Sequence, residues 1–403
     1  MKKSTYLYIA GLFFGGYLQN NLVPFLTNDT LLIISIAWSL IGFICIRRNP
    51  SYHKTINTTR FTYILVTLFF LSTLWPSFAY NQNFISTLVA MRYNILMIFY
   101  ILLARLSPSD KDIYCALKNL SITTIALSVV IYFKPDLFVQ GQNSLNYFLD
   151  STSDGTNSDF FIIIPPGFVY LAFFFFIQIN RTIKTGELRD FLLTTLLILF
   201  IVLVQNRSTL IVAVPYFIYS IFKSKIKYKN TILLLLAIIA TPVILNIIDH
   251  LLNETINQID DNSYNRWQAF SFFLVEFKSS LWTVLFGHGI PCSGSQYLSD
   301  ILYAQKTRLA FISDIGMFGI YFLYGLSMII FYYYFVFKAL LGKGSPLYLK
   351  MYAIWVLLVP TIHSFAGGYS CEAYFLNFLF FYEVINHCKN RCNDRCIRNN
   401  SYI

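Results

Sequence analysis

Charge is what this chain has least of. Asp, Glu, Lys and Arg together make up 12% of its 403 residues, about half the share of an ordinary soluble domain. That shortage excludes a globule wrapped in a solvated polar shell. Cysteine is sparse as well, with seven residues and no CxxC pair. Cys45, Cys115, Cys388, Cys392 and Cys396 fall at the cytoplasmic ends of the spans assigned below, which excludes a disulfide framework. The run Cys388-x3-Cys392-x3-Cys396 lacks the paired spacing of a zinc site. No 20–50-residue repeat occurs, so solenoids and propellers drop out. No small-residue cleavage site follows Met1-Lys2-Lys3-Ser4, so a retained first helix is expected rather than a signal peptide.

What is present points one way. Hydrophobic residues make up 56% of the chain, with 40 Phe and 29 Tyr, and aromatic rings suit lipid and its interface. The expected class is all-α, a polytopic membrane protein with a single membrane domain. Hydropathy places about twelve spans, at 5–26, 31–46, 61–79, 84–104, 113–133, 160–179, 191–204, 209–222, 230–248, 309–337, 351–369 and 373–387.

Lys and Arg orient these spans. With both termini in the cytoplasm, 23 of the 30 basic residues fall in inner loops, and every inner loop carries some. The net charge of +11 is therefore a topology signal. Nucleic-acid binding would need a basic patch on a soluble face, which the chain lacks. Seven basic residues remain on the outer side or within spans: Arg92, Lys134, Arg207, Arg266, Lys278, Lys306 and Arg308. Four are arginines, whose planar fork grips phosphate oxygens with paired hydrogen bonds.

Two outer loops are long. Residues 134–159 are polar; residues 249–308 form the largest extramembrane segment and are too apolar to be a free loop. Trp267, Phe270, Leu274 and Phe277 recur at helical spacing, as for an amphipathic helix on the membrane surface.

The central feature is the pair of apolar runs 192–204 and 209–222, joined by Gln205-Asn206-Arg207-Ser208. A guanidinium keeps its proton, so Arg207 sits either at an interface, snorkelling, or in a watered cavity facing an anionic substrate. Similar pairs of readings attach to the other candidates. Arg92, within a span, contacts a phosphate or snorkels. His288, between Gly287 and Gly289, is a general base or a surface histidine in a turn. His363 is a functional imidazole within a span or a helix-to-helix hydrogen bond. Asp314 is a base, or it caps its helix and pairs with Arg308. Tyr369, Glu372 and Tyr374 sit at the last outer turn, and Tyr332-Tyr333-Tyr334-Phe335 reads as an interfacial belt.

Three blocks in order, across roughly residues 190–340, resemble the O-antigen polymerase (Wzy-type) and O-antigen ligase superfamily of bacterial glycosyltransferases. They are Gln205-Asn206-Arg207-Ser208-Thr209-Leu210, then Asn262-Ser263-Tyr264-Asn265-Arg266-Trp267 followed by Phe286-Gly287-His288-Gly289, then Asp314-Ile315-Gly316-Met317-Phe318-Gly319. Ligases of this group resemble one another in a His-Asn before the last block. Here Ala304-Gln305-Lys306-Thr307-Arg308 holds no histidine, which favours the polymerase.

The resemblance implies inverting transfer of an undecaprenyl-pyrophosphate-linked oligosaccharide to a second lipid-linked unit, at the outer face of the inner membrane. A chain-length regulator protein is a further implied partner. Arg207 and Arg266 would stabilise the leaving pyrophosphate, with His288 as base and Arg308, Arg92, Asp314 and His363 binding substrate. No cofactor is expected, and with no aspartate-rich motif nearby the expected chemistry is metal-independent. A ligase acting on lipid A core is the alternative within the class. A flippase is the alternative outside it, though it would carry internal repeats, and this chain shows none.

Overall fold

The computed structural model describes residues 2–18, 27–45, 56–134, 165–204, 207–225, 265–277, 280–308, 310–358 and 371–400. Among them every regular element is a helix and no strand occurs. In order come α1 (Lys3–Phe14), α2 (Asn28–Cys45), α3 (Ile56–Ala79), α4 (Phe84–Ala90) and, after a 3-10 turn, α5 (Ile98–Leu106). Then follow α6 (Asp110–Phe133), α7 (Phe168–Thr185), α8 (Leu188–Leu203), α9 (Arg207–Lys223) and α10 (Asn265–Phe270). The last five are α11 (Leu281–Phe286), α12 (Gln296–Arg308), α13 (Met317–Leu341), α14 (Leu347–Leu358) and α15 (Cys371–Asn400).

Among the described residues three helices are long and apolar enough to cross a membrane: Phe61–Ala79, Asp110–Phe133 and Met317–Leu341. A fourth crossing arises if Phe84–Ala90 and Arg92–Leu106, bent by 60°, form one broken span. Shorter apolar helices cover Asp29–Gly42, Thr209–Lys223 and Leu347–Leu358. The surface agrees with an apolar solvent. Ile33, Ile44, Tyr63, Phe78, Leu203 and Ile330 each leave more than half their side chain uncovered, which water would penalise as an aggregation-prone patch.

Several boundaries differ from hydropathy, each for a local reason. The first helix stops at Phe14 because Gly15 caps it and Gly16 takes a φ of 68°. Tyr17 then turns inward, its hydroxyl 2.7 Å from Thr124 Oγ1. Within the sixth apolar run, helix α7 starts at Phe168, after Pro165-Pro166 and a left-handed Gly167. The fourth is broken at Met91; Asn83 caps its first half by accepting from Ile85 and Ser86 backbone N–H groups at 3.0 and 3.2 Å. The tenth begins at Met317, because Gly316 adopts a φ of 52°. Span 230–248, the outer loop beyond Lys134, Tyr369 and His363 lie outside the described residues.

The basic loops meet at one end of the bundle. Lys3 Nζ donates to the Ser107 carbonyl at 2.9 Å, and the Tyr382 hydroxyl to that of Pro108 at 3.2 Å. Gly186 packs against Lys225. A cavity there joins Asp110, Arg181, Lys184, Gly344 and His387. This basic end lies opposite the far end, which carries Asp29, Arg92 and residues 280–308.

Between the two ends the core is aromatic. Phe61 meets Tyr100, Phe331, Phe335 and Phe381, with ring centroids 4.4 Å apart for Phe335. Polar groups inside are paired across helices. Asn94 Oδ1 accepts from Tyr324 at 3.0 Å and Tyr374 at 2.8 Å, and Tyr332 donates to Asn377 at 2.8 Å. Tyr332 is fully buried, so this ring belongs to the core and not to an interfacial belt. Tyr334 is the exposed one, with Lys338 over its face.

Candidate functional site

The far end is organised by a break in α13. Gly325 sits inside that helix at φ 79° and ψ 178°, a conformation that opens the ladder of backbone bonds and frees carbonyls on its N-terminal side. Donors from elsewhere take them. His288 N–H bonds to the Phe322 carbonyl at 2.6 Å and Gly289 N–H to that of Leu323 at 2.9 Å. Ser72 Oγ reaches the Tyr324 carbonyl at 3.3 Å. In the reverse direction Ser327 Oγ donates to the Leu285 carbonyl at 2.7 Å.

The loop Gly287-His288-Gly289 is therefore a strap across the broken helix. A Cβ on Gly287 would lie 2.3 Å from the Leu323 oxygen, and one on Gly289 would lie 2.4 Å from Pro76. These glycines give close approach to α13 and α3. The chain beyond is pinned by Cys292 N–H on Gln82 Oε1 at 2.7 Å and by the Tyr297 hydroxyl on the Gly289 carbonyl at 2.9 Å.

His288 is buried, not a surface residue in a turn. Its ring stacks on Phe322 with centroids 4.3 Å apart and meets the edge of Phe277 at 5.0 Å. Its Nδ1 pairs with the Tyr80 hydroxyl. Burial pushes the Tyr80 phenol up and the imidazole down from 6.5 to about 4. At neutral pH both groups are therefore uncharged, and the imidazole tautomer sets which of them donates.

A pH dependence follows. Between about 4 and 6.5 the unfolded chain binds the His288 proton and the folded one does not, so stability falls as pH drops through that window. The full effect is roughly 3 kcal/mol at 1.36 per unit. Unfolding midpoints at pH 7.5 and 4.5 should therefore converge in His288→Gln relative to the unsubstituted protein.

Two outer arginines already have counter-charges. Arg92 sits at the bend after α4, where Nη2 and Nε reach Asp29 Oδ1 at 2.5 and 2.9 Å and Nη1 reaches the Val89 carbonyl at 3.0 Å. It neither snorkels alone nor stands free. Arg308 ends α12, its Nη1 2.5 Å from Glu276 Oε2 and its guanidinium over Phe272. That ion pair holds the Glu276 carboxyl below its usual range, with help from Ser271. The pairing of Arg308 expected with Asp314 thus has Glu276 as its acid; the Asp314 side chain lies outside the described residues.

The backbone places the two principal arginines. Arg207 opens α9, which ends beside Gly186 at the basic end, so Arg207 stands at the opposite pole. Arg266 lies in α10, whose continuation Ser271–Glu276 winds into a π-helical turn against Phe322. Both side chains lie outside the described residues.

No protein-family model, curated protein or solved structure matches the chain. Its chemistry has to be argued from its own residues.

Other groupings were not visible along the chain. Asp29 and Arg92 meet over 63 positions, and Tyr80 and His288 over 208. At the basic end Asp110, Glu383 and His387 come together. The i,i+4 spacing of Glu383 and His387 was the one available hint, since it sets both on one helix face.

Proposed function

We propose that this protein is a surface-polysaccharide polymerase. It joins undecaprenyl-pyrophosphate-linked oligosaccharide repeat units by inverting glycosyl transfer at the outer face of the bacterial cytoplasmic membrane. The observation that carries the proposal is the separation of the cations. The described inner-loop Lys and Arg cluster at one end of the bundle, whereas the helices bearing Arg207, Arg266 and Arg308 begin or end at the other. Positive-inside bias accounts for the first group but not for the second, in which Arg308 is paired with Glu276 and Arg207 and Arg266 are assigned an anionic ligand.

In this reading Arg207 and Arg266 hold the diphosphate, whose charge grows as the glycosidic bond breaks. Fixed cations in a low-dielectric setting stabilise that charge more in the transition state than before it. Arg308 contributes after exchanging Glu276 for phosphate, and Arg92, Asp314 and His363 line the substrate path. His288 is the candidate base for the acceptor hydroxyl through Nδ1, from which the acceptor must first displace Tyr80.

A deletion strain examined by polysaccharide gel tests this. Lipid A core bearing a single repeat unit is expected. Bare core with long polymer left on the carrier lipid would instead mark a ligase.

A further inference from the structure

At the basic end a cavity of about 580 Å³ opens between α6, α7, the turn before α14 and α15. One wall carries two carboxylates and an imidazole from distant parts of the chain. His387 Nε2 lies 3.5 Å from Glu383 Oε2 and 3.8 Å from Asp110 Oδ2. One ligand atom from each of the three residues falls within 4.8 Å of the others.

We propose that Asp110, Glu383 and His387 bind a divalent first-row metal ion, of the Zn²⁺ or Mn²⁺ kind, at the basic end. The distances fit. Metal–nitrogen and metal–oxygen bonds of about 2.1 Å around a tetrahedral ion put neighbouring ligand atoms about 3.4 Å apart. The 3.5 and 3.8 Å separations from His387 need only a few tenths of an ångström of closure, and the carboxylate pair, within 4.8 Å, needs up to about 1.4 Å more from the exposed Asp110. The donor set, one imidazole and two carboxylates, suits these ions better than Mg²⁺ or Ca²⁺, which favour oxygen alone.

Burial is the second argument. Glu383 is 2% exposed, and a buried carboxylate needs compensating charge. Arg181, which lines the same cavity, does not supply it, because its Nε is bound to Asp190 at 3.0 Å, and this leaves His387 or a bound cation to do so. The Tyr348 hydroxyl donates to Glu383 Oε2 and meets His387 Nε2 at 3.2 Å, so it bridges the two ligand atoms and has to move aside when a metal enters. Three protein ligands leave a fourth position open on the cavity side. The site lies at the opposite end from the arginines assigned to glycosyl transfer, so it goes beyond that reading. It joins the start of α6 to the inner half of α15.

The test uses the full chain purified in detergent, with Cys388, Cys392 and Cys396 changed to serine to remove competing thiolates. Titration calorimetry with Zn²⁺ and with Mn²⁺ is expected to show one saturable equivalent and a raised unfolding midpoint, with Mg²⁺ far weaker. Asp110→Asn and His387→Gln should each weaken binding about tenfold or more. Both residues keep exposed surface, so these variants are expected to stay folded, as a monodisperse elution profile would verify. Lys350→Ala, outside the cavity, should bind as tightly as the parent. Absence of saturable uptake in the parent, or undiminished affinity in either ligand variant, overturns the site.

Discussion

Arg207→Ala is expected to leave the protein in the membrane at its normal level while chain lengthening falls by about a hundredfold or more, the usual cost of removing one preorganised charge from a reacting centre. The gel would then show core with a single repeat unit. Arg207→Lys should recover little of this, because an ammonium supplies the charge but not the two parallel hydrogen bonds. Arg266→Lys should behave alike. A normal length distribution in Arg207→Ala would show a snorkelling arginine and remove the foundation of the proposed chemistry. Position favours the first outcome: Arg207 begins α9 at the pole of the bundle away from the basic loops.

The second large effect concerns the strap. In Gly325→Ala a Cβ would stand 2.4 Å from the Leu285 carbonyl and 2.5 Å from the Gly287 nitrogen. Both obstacles are backbone, so neither can swing aside as a side-chain tip would. The left-handed φ of 79° adds its own penalty of about 1 kcal/mol or more. Together these should cost about 3 kcal/mol or more. Gly287→Ala faces the same collision from the other side, 2.3 Å from the Leu323 oxygen. Gly294→Ala is the control. Its φ is 80° but nothing lies within 4 Å of the new Cβ, so it bears the conformational penalty alone. Unfolding midpoints in detergent should rank Gly294→Ala well above the other two. Equal midpoints would mean that the strap contributes no rigidity.

These two predictions differ in how visible their basis was along the chain. An arginine between two apolar runs is conspicuous, because a guanidinium in lipid is costly wherever it lands. Gly287 and Gly289 were equally conspicuous, yet their physical use was not. A Gly-x-Gly turn permits close approach of a backbone to anything, and only the fold shows that α13 is what approaches. Gly325 gave no warning, since a glycine inside a long apolar helix is tolerated and its left-handed φ depends on the loop lying across it. For Arg92, hydropathy registered an unexplained cation but could not pair it with Asp29, because ion-pair partners are matched in space. Tyr332 and Tyr334 are two positions apart and face opposite environments, which composition cannot separate.

What the amino-acid order determines alone is the environment and the element type. Scarce charge, abundant Phe and Tyr and long apolar runs require helices that satisfy their own backbone groups, and the Lys and Arg pattern sorts their ends. These are sums over local residues, so they survive without knowledge of packing. Tertiary structure decided which helices are continuous, which polar groups are paired and which distant side chains meet. The break at Gly325, the neutral His288 beside Tyr80 and the Asp110–Glu383–His387 cluster all depend on contacts between segments tens to hundreds of residues apart. Burial and short-range electrostatics act through space, and chain order carries no distance across the fold.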